Sequence, residues 1–225
     1  MDLYNYFLQQ TEGEVYKWHH YFEIYERYFR PWRNKEFTFV EIGVWRGGSL
    51  KMWREYFGPK ARIIGIDINP EAKKFAGNGI EIHIGDQASS EFWTDFLAKV
   101  GKVDIVLDDG GHTSNQQIQS FLSLYDSLST PGVYFVEDTH SNYWKRGQDR
   151  EDKQTFLEFC KRATDYLNEW HFAENSFDLF AKDPAHRDKV ADVSSLCRNT
   201  AGIHFHDSIV VFEKNERKDP WHQIR

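Results

Sequence analysis

The sequence is short of cysteine, of clustered positive charge and of long apolar runs, and each shortage closes off a class of protein. Cys160 and Cys197 are the only cysteines in 225 residues. One disulfide is arithmetically open to them, but two stray cysteines in a globular chain point to reduced thiols and a cytoplasmic address. Lys and Arg number 28 against 35 Asp and Glu, a formal charge of −7, and the acids are scattered rather than blocked. A nucleic-acid surface or an anionic-membrane anchor needs clustered Lys and Arg instead. No stretch approaches the roughly 18 apolar residues of a membrane span, and the opening "MDLYNYFLQQ" is too acidic and polar for a signal peptide. Repeats and low-complexity segments are lacking too. The length makes one globular domain the default, with two small ones as the alternative, and 40% apolar and 16% aromatic residues are enough to build a core.

What is there is an alternation. Apolar runs at 37–44, 62–67, 80–85, 103–108 and 133–138 read as strands, and Ser49–Tyr56, Pro70–Phe75, Ser89–Val100 and Ser114–Ser127 between them carry helical patterns. Near-continuous apolar strands separated by helices predict an α/β fold with a parallel sheet covered on both faces, whose ligands bind at the carboxyl ends of the strands. Before this core, 14–30 places Trp18, Phe22, Tyr25 and Phe29 at helical spacing and stops at Pro31, giving a helical cap over 1–36. After it come a polar loop at 141–153, a helix from Thr155 to about Trp170, and short helices or a flap over 172–200. "GIHFHDSIVVFEK" at 202–214 predicts a terminal hairpin with an antiparallel last strand, making seven strands in a domain over 37–214, and 215–225 reads as a loose tail.

"EIGVWRGGS" at 41–49 ends the first strand and opens a helix, so its backbone N–H groups can face an anionic ligand. A dinucleotide fingerprint needs a second glycine two residues after the first, and here Trp45 stands at that position. Asp67 and Asp86 end the second and third strands as Glu41 nears the end of the first. Taken singly, a glycine loop is a turn and a strand-end Asp is a helix cap. Three acids at three successive strand ends favour a nucleoside site, because a carboxylate there faces the crevice and can accept two hydroxyl protons.

The fourth strand ends in "DDGGH" and the fifth in Glu137–Asp138. Neighbouring parallel strands lie ~4.8 Å apart, so four carboxylates meet there and repel unless a cation sits among them or protons are taken up. Oxygen donors suit Mg²⁺, Mn²⁺ or Ca²⁺. His112, three residues past Asp109, can lean over the same point. Capping by Asp108 or Asp109, a plain turn at Gly110–Gly111 and a solvent-facing His112 are the ordinary alternatives.

"EIGVWRGGS" resembles motif I of the Rossmann-like S-adenosylmethionine-dependent methyltransferases, and "DDGGH…VEDTHSNYW" resembles the metal-dependent sugar O-methyltransferases of macrolide and rhamnosyl-antibiotic tailoring. The likeness runs from about Trp18 to Lys214. It implies a Rossmann-like methyltransferase sandwich, S-adenosylmethionine and Mg²⁺ (or Mn²⁺) as cofactors, and a small sugar-containing substrate presenting a vicinal diol. Cofactor residues are then Glu41, Gly43, Ser49, Asp67, Asp86, Gln87 and Asp108, with Asp67 on the ribose hydroxyls and Asp86 at the adenine. Asp109, Glu137 and Asp138 become the metal ligands and His112 the general base. His140 stays open as an alternative base, His19 or His20 as linings of the cofactor mouth, and Tyr143 and Trp144 as a surface for a sugar face. No nucleic-acid or membrane partner is expected, and a homo-oligomer is left open. A catechol-type O-methyltransferase, a nicotinamide dehydrogenase, a metal-dependent hydrolase or hydroxylase, and a non-catalytic cofactor-binding protein are the competing readings.

Overall fold

The computed structural model describes residues 1–10, 13–187 and 191–223. Strands β1 (Thr38–Ile42), β2 (Arg62–Asp67), β3 (Ile80–Ile84), β4 (Val103–Asp108), β5 (Leu128–Val136), β6 (Thr200–His206) and β7 (Ile209–Lys214) form one sheet in the order β3-β2-β1-β4-β5-β7-β6. The first five are parallel neighbours, and β7 enters antiparallel between β5 and β6. The expected hairpin is present, with β6 as the edge. The strand order reverses between β1 and β4, and the crevice that this opens lies at their carboxyl ends.

Alternation along the strands divides the core in two. Phe39, Ile63, Ile105, Leu107, Val133, Phe135 and Val211 face one layer, packed by helices α1 (Leu3–Gln9), α2 (Tyr21–Phe29) and α3 (Gly48–Phe57). Val40, Ile64, Val106, Tyr134, Val136 and Val210 face the other, under α4 (Ser90–Val100), α5 (Ser114–Leu124) and α6 (Phe156–Leu167). Ser89 caps α4, Thr155 caps α6, and Thr113 forms a reciprocal capping box with Gln116 on α5. With Thr113 in that role, neither Asp108 nor Asp109 is the cap of α5. Cys160 and Cys197 are buried free thiols. No helix among the described residues is long and apolar enough to cross a membrane.

Two expectations need correction. The continuous helix over 14–30 begins only at Tyr21; residues 14–18 run without helix, and Trp18 is half exposed rather than on the buried stripe. Lys17 has to extend to reach strand-end carboxylates, and that tertiary pairing outweighs the helical preference of the segment. Leu3–Gln9 is a helix capped by Asp2, and it packs into the same core as α2 and α3. Nor is the tail loose where it is described: Asp219 pairs with Arg187 and Arg198, and Arg217 donates to Leu167 O and Cys197 O. Between 172 and 200, the short helices α7 (Ser176–Leu179) and α8 (Ser195–Asn199) appear as anticipated; 188–190 lie outside the described residues.

Phe29 shows how α2 is anchored. Its buried ring meets Tyr25, Phe39, Trp53, Phe57 and Phe135, bridging α2, α3 and the sheet. Phe29→Ala is expected to cost about 3–5 kcal/mol in urea unfolding without a change in m, as for other buried aromatics emptied to a cavity.

Candidate active site

Register decides which acids meet. Ile42, Asp108 and Val136 stand side by side at the ends of β1, β4 and β5. Asp109 and Glu137, one residue further on, therefore turn to the opposite face from Asp108, the face packed by α2 and α3 and already occupied by Glu41. A cation sits among these three. The Lys17 ammonium donates to Glu137 Oε1 at 3.0 Å and Oε2 at 3.1 Å, forms a short bond to Asp109 Oδ2, and lies 3.9 Å from Glu41 Oε1. Tyr25 donates to Glu137 at 2.6 Å and Tyr21 to Asp138 at 2.5 Å.

The ionisation of the cluster follows from burial and charge. Burial alone would lower the Lys17 pKa, yet Asp109, Glu137 and Glu41 together raise it above the ordinary lysine value. Burial and the Asp109 charge push Glu137 up, with Lys17 opposing them. Burial lifts Glu41 to about 7 against the pull of Lys17. Tyr21 and Tyr25 are raised by burial and by the carboxylates they donate to, so both phenols stay protonated as donors.

On the other face, Asp108 is lifted to about 6 by burial, opposed by the Gln87 amide, which donates to both its oxygens at 3.1 and 3.3 Å. Gln87 also accepts from Gly111 N at 2.7 Å, tying the β3 end to the turn after β4. Gly43, at φ 94°, has no room for a side chain: a Cβ would stand 2.1 Å from Asp109 O. The glycine loop and the acidic turn are thus pressed together.

They line one cavity of ≈ 530 Å³. Gly43, Ser49, Asp67, Asp86, Gln87, Asp109, His112, Glu137 and Asp138 all border it; Glu41 and Asp108 lie behind its wall. Glu41 instead accepts from Ser49 at 2.8 Å and Trp53 Nε1 at 3.0 Å. Asp67 braces the glycine loop by accepting from Val44, Trp45 and Asn69 N–H groups. His19 and His20 point elsewhere, toward Tyr4 and Asp207, while Lys17 and Trp18 of the same segment reach the cavity.

Asp109, His112 and Asp138 each offer a donor atom within 4.8 Å of the others, an arrangement able to hold a metal ion. His112 Nε2 is 3.6 Å from Asp138 and 3.9 Å from Asp109, and its Nδ1 is buried without a partner. His112, Asp138 and Trp45 all line the cavity with positive φ (58°, 52° and 48°), a conformation that costs energy outside glycine and clusters at functional sites. His140 Nδ1 is 4.0 Å from Asp138, and its ring is edge-on to Trp18 and Trp144. Tyr143 is largely exposed. Lys17, Tyr21 and Tyr25 were not legible as site residues. The available signal was a lone lysine among aromatics in a chain whose strand-end acids need a cation.

Residues 40–139 match the family described as "Methyltransferase domain". Over that segment the chain is similar to methyltransferase domains. It is 33% identical over 211 residues to the 8-demethyl-8-alpha-L-rhamnosyl tetracenomycin-C 2'-O-methyltransferase of Streptomyces olivaceus, covering 88% of this chain and 51% of that one. To the demethylmacrocin O-methyltransferase of Streptomyces fradiae it is 32% identical over 213 residues, 88% of this chain and 50% of the relative. The MycE methyltransferase of the mycinamycin pathway, solved with Mg and SAH, superposes with a TM-score of 0.80 at 28% identity, over 100% of this chain and 57% of that one. The chain spans about half the length of the curated relatives it matches. The matched segment contains every cavity-lining acid of β1 to β5, but not Lys17, Tyr21 or Tyr25.

Glu41 supplies a test of the buried cluster. Its folded-state pKa lies above that of the unfolded chain, so its contribution to stability is whole below about 4.5 and is lost as pH rises through about 7. In Glu41→Gln, the loss of unfolding free energy between pH 5 and 8, measured by urea titration in chelator, should be smaller than in the wild type by about 2–3 kcal/mol.

Proposed function

We propose that the protein is an S-adenosylmethionine-dependent, divalent-metal-assisted O-methyltransferase acting on a hydroxyl of a sugar or glycosylated small molecule. The observation that carries this reading is the sharing of one cavity by two half-sites, the glycine loop with Asp67 and Asp86 on one side, and Asp109, His112 and Asp138 on the other. The likeness to sugar O-methyltransferases, one of them solved with Mg, SAH and Mycinamycin VI, supports it.

Asp67 has lone pairs left for ribose hydroxyls after its three backbone bonds, and Asp86 faces the adenine end. Asp109, Glu137 and Asp138 are the proposed holders of Mg²⁺ or Mn²⁺, hard cations that suit their oxygens and whose chemistry is to acidify and orient a pair of neighbouring hydroxyls. His112 stands beside these acids and accepts the substrate hydroxyl proton at Nε2. S-adenosylmethionine held beside the glycine loop and Asp67 would supply the sulfonium methyl group that the deprotonated oxygen takes, its carbon–sulfur electron pair remaining on sulfur. Trp18 lines the cavity and His140 and Trp144 pack edge-on in series beside it, an aromatic surface against which a sugar face can pack.

S-adenosylhomocysteine at about 100 times its Kd should stabilise the native state by about 2.7 kcal/mol, a rise in Tm of about 5–10 °C. Asp67→Ala should abolish most of that rise. No shift with the wild type at millimolar ligand would end the methyltransferase reading. His112→Ala should retain S-adenosylhomocysteine binding while kcat falls by about 10²–10⁴ and KM changes little. Near-wild-type kcat across pH 6–9 would pass the role of base to His140.

A further inference from the structure

The carboxylates proposed to hold a divalent ion are already engaged by the chain itself. Lys17 bridges both oxygens of Glu137 and one of Asp109, and its side chain is 2% exposed. Tyr25 shares Glu137 Oε1, and Tyr21 holds Asp138. Glu137 is consequently absent from the donors that converge on one point, which are Asp109, His112 and Asp138. Mg²⁺ requires carboxylate oxygens at about 2.0–2.1 Å in near-octahedral array. An ammonium 3.0–3.1 Å from both Glu137 oxygens stands where such an ion would bind that residue, and two cations in contact there would repel.

Lys17 is also fastened to the other half of the cavity. Residues 13–18 run as a strap without helix or strand across the start of α3, so close that a Cβ on Gly48 would stand 2.4 Å from Glu14 O. Glu14 pairs with Arg46 of the glycine loop at 2.5 Å. Glu14 to Trp18 line the same cavity as Asp67. One segment therefore plugs the acidic half and covers the glycine-loop half.

We propose that Lys17 is a tethered counter-cation that exchanges with the divalent metal: metal binding to Glu137 and Asp109 expels the ammonium, and its departure releases the strap from the cavity wall. The inference rests on the metal-assisted reading above. It assigns to Lys17 two linked roles, keeping the metal-free acids paired and coupling metal occupancy to the strap over the cofactor half. By reciprocity, whatever holds the strap down weakens metal binding by the same factor.

Mn²⁺ binding followed by electron paramagnetic resonance tests the exchange on the whole chain. Lys17→Gln should bind Mn²⁺ tighter than the wild type by about ten- to a hundredfold, because the competing buried charge is gone. In the wild type, saturating Mn²⁺ should speed hydrogen exchange of the amides of residues 13–20 while those of β1 and β4 stay protected. The second measurement decides the matter if the variant does not fold. Equal or weaker Mn²⁺ binding by Lys17→Gln, or strap exchange unchanged by Mn²⁺, overturns the proposal and leaves the metal reading standing. Absence of Mn²⁺ binding to both proteins, with S-adenosylhomocysteine still raising Tm, overturns the metal reading and this proposal with it.

Discussion

Around the Lys17 ammonium, carboxylates from the ends of three adjacent strands converge, two of them buried, and the geometry of the carboxyl edge depends on that pairing. An unpaired carboxylate in a protein interior is costly enough that it takes up a proton instead. Glu41 comes close to that point, with a pKa near 7, even beside the lysine. The requirement for a counter-cation explains why residues 14–18 depart from the helix that follows them, and why Tyr21 and Tyr25 present hydroxyls to the sheet rather than phenylalanine edges. Aromatic packing by Phe22, Phe29 and Trp53 supplies the apolar surround in which those hydroxyls and the ammonium lie.

Alternation of side chains across the sheet separates the labour of the acids. Asp108 and Asp109 are neighbours in sequence and lie on opposite faces, one held by the Gln87 amide, which also donates to Ser120, the other bordering the cavity beside His112. Gln87 bonds Asp108 and the Gly111 amide together, so the buried acid positions the turn from which His112 projects. The left-handed backbone at His112 and Asp138 brings the imidazole within 3.6 Å of the carboxylate. Such strain persists only where surrounding bonds over-determine it. Here Ser141 donates to the His112 carbonyl, and Thr139 N donates to Ser208 O across the β6–β7 turn.

The parallel strands, the hairpin at the sheet edge and the cavity at the carboxyl ends were legible in the chain because they rest on local pattern. Apolar runs such as "VDIVL" cannot be satisfied unless both faces are covered, and a glycine loop between a strand and a helix has few alternatives. The gathering of strand-end acids around the crevice was legible for the same reason: a strand end in an open α/β sheet faces it. Which of those acids are accessible was not. Glu41 reads like Asp67 in sequence, yet one lies beneath Ser49 and Trp53 and the other lines the opening.

The sequence by itself determined the periodicities, and through them the sheet, its layers and the identity of the acidic turns. The tertiary structure alone decided which charges meet. Lys17 and Glu137 are separated by 120 positions, and no local period relates them. Their pairing depends on the β4–β5 register, on the parity that sends Asp109 and Glu137 to the α2 side, and on a strap held down by the absence of a side chain at Gly48. Long-range electrostatics in a low-dielectric edge leaves no periodic trace in a chain, because it is set by which faces happen to be packed against each other.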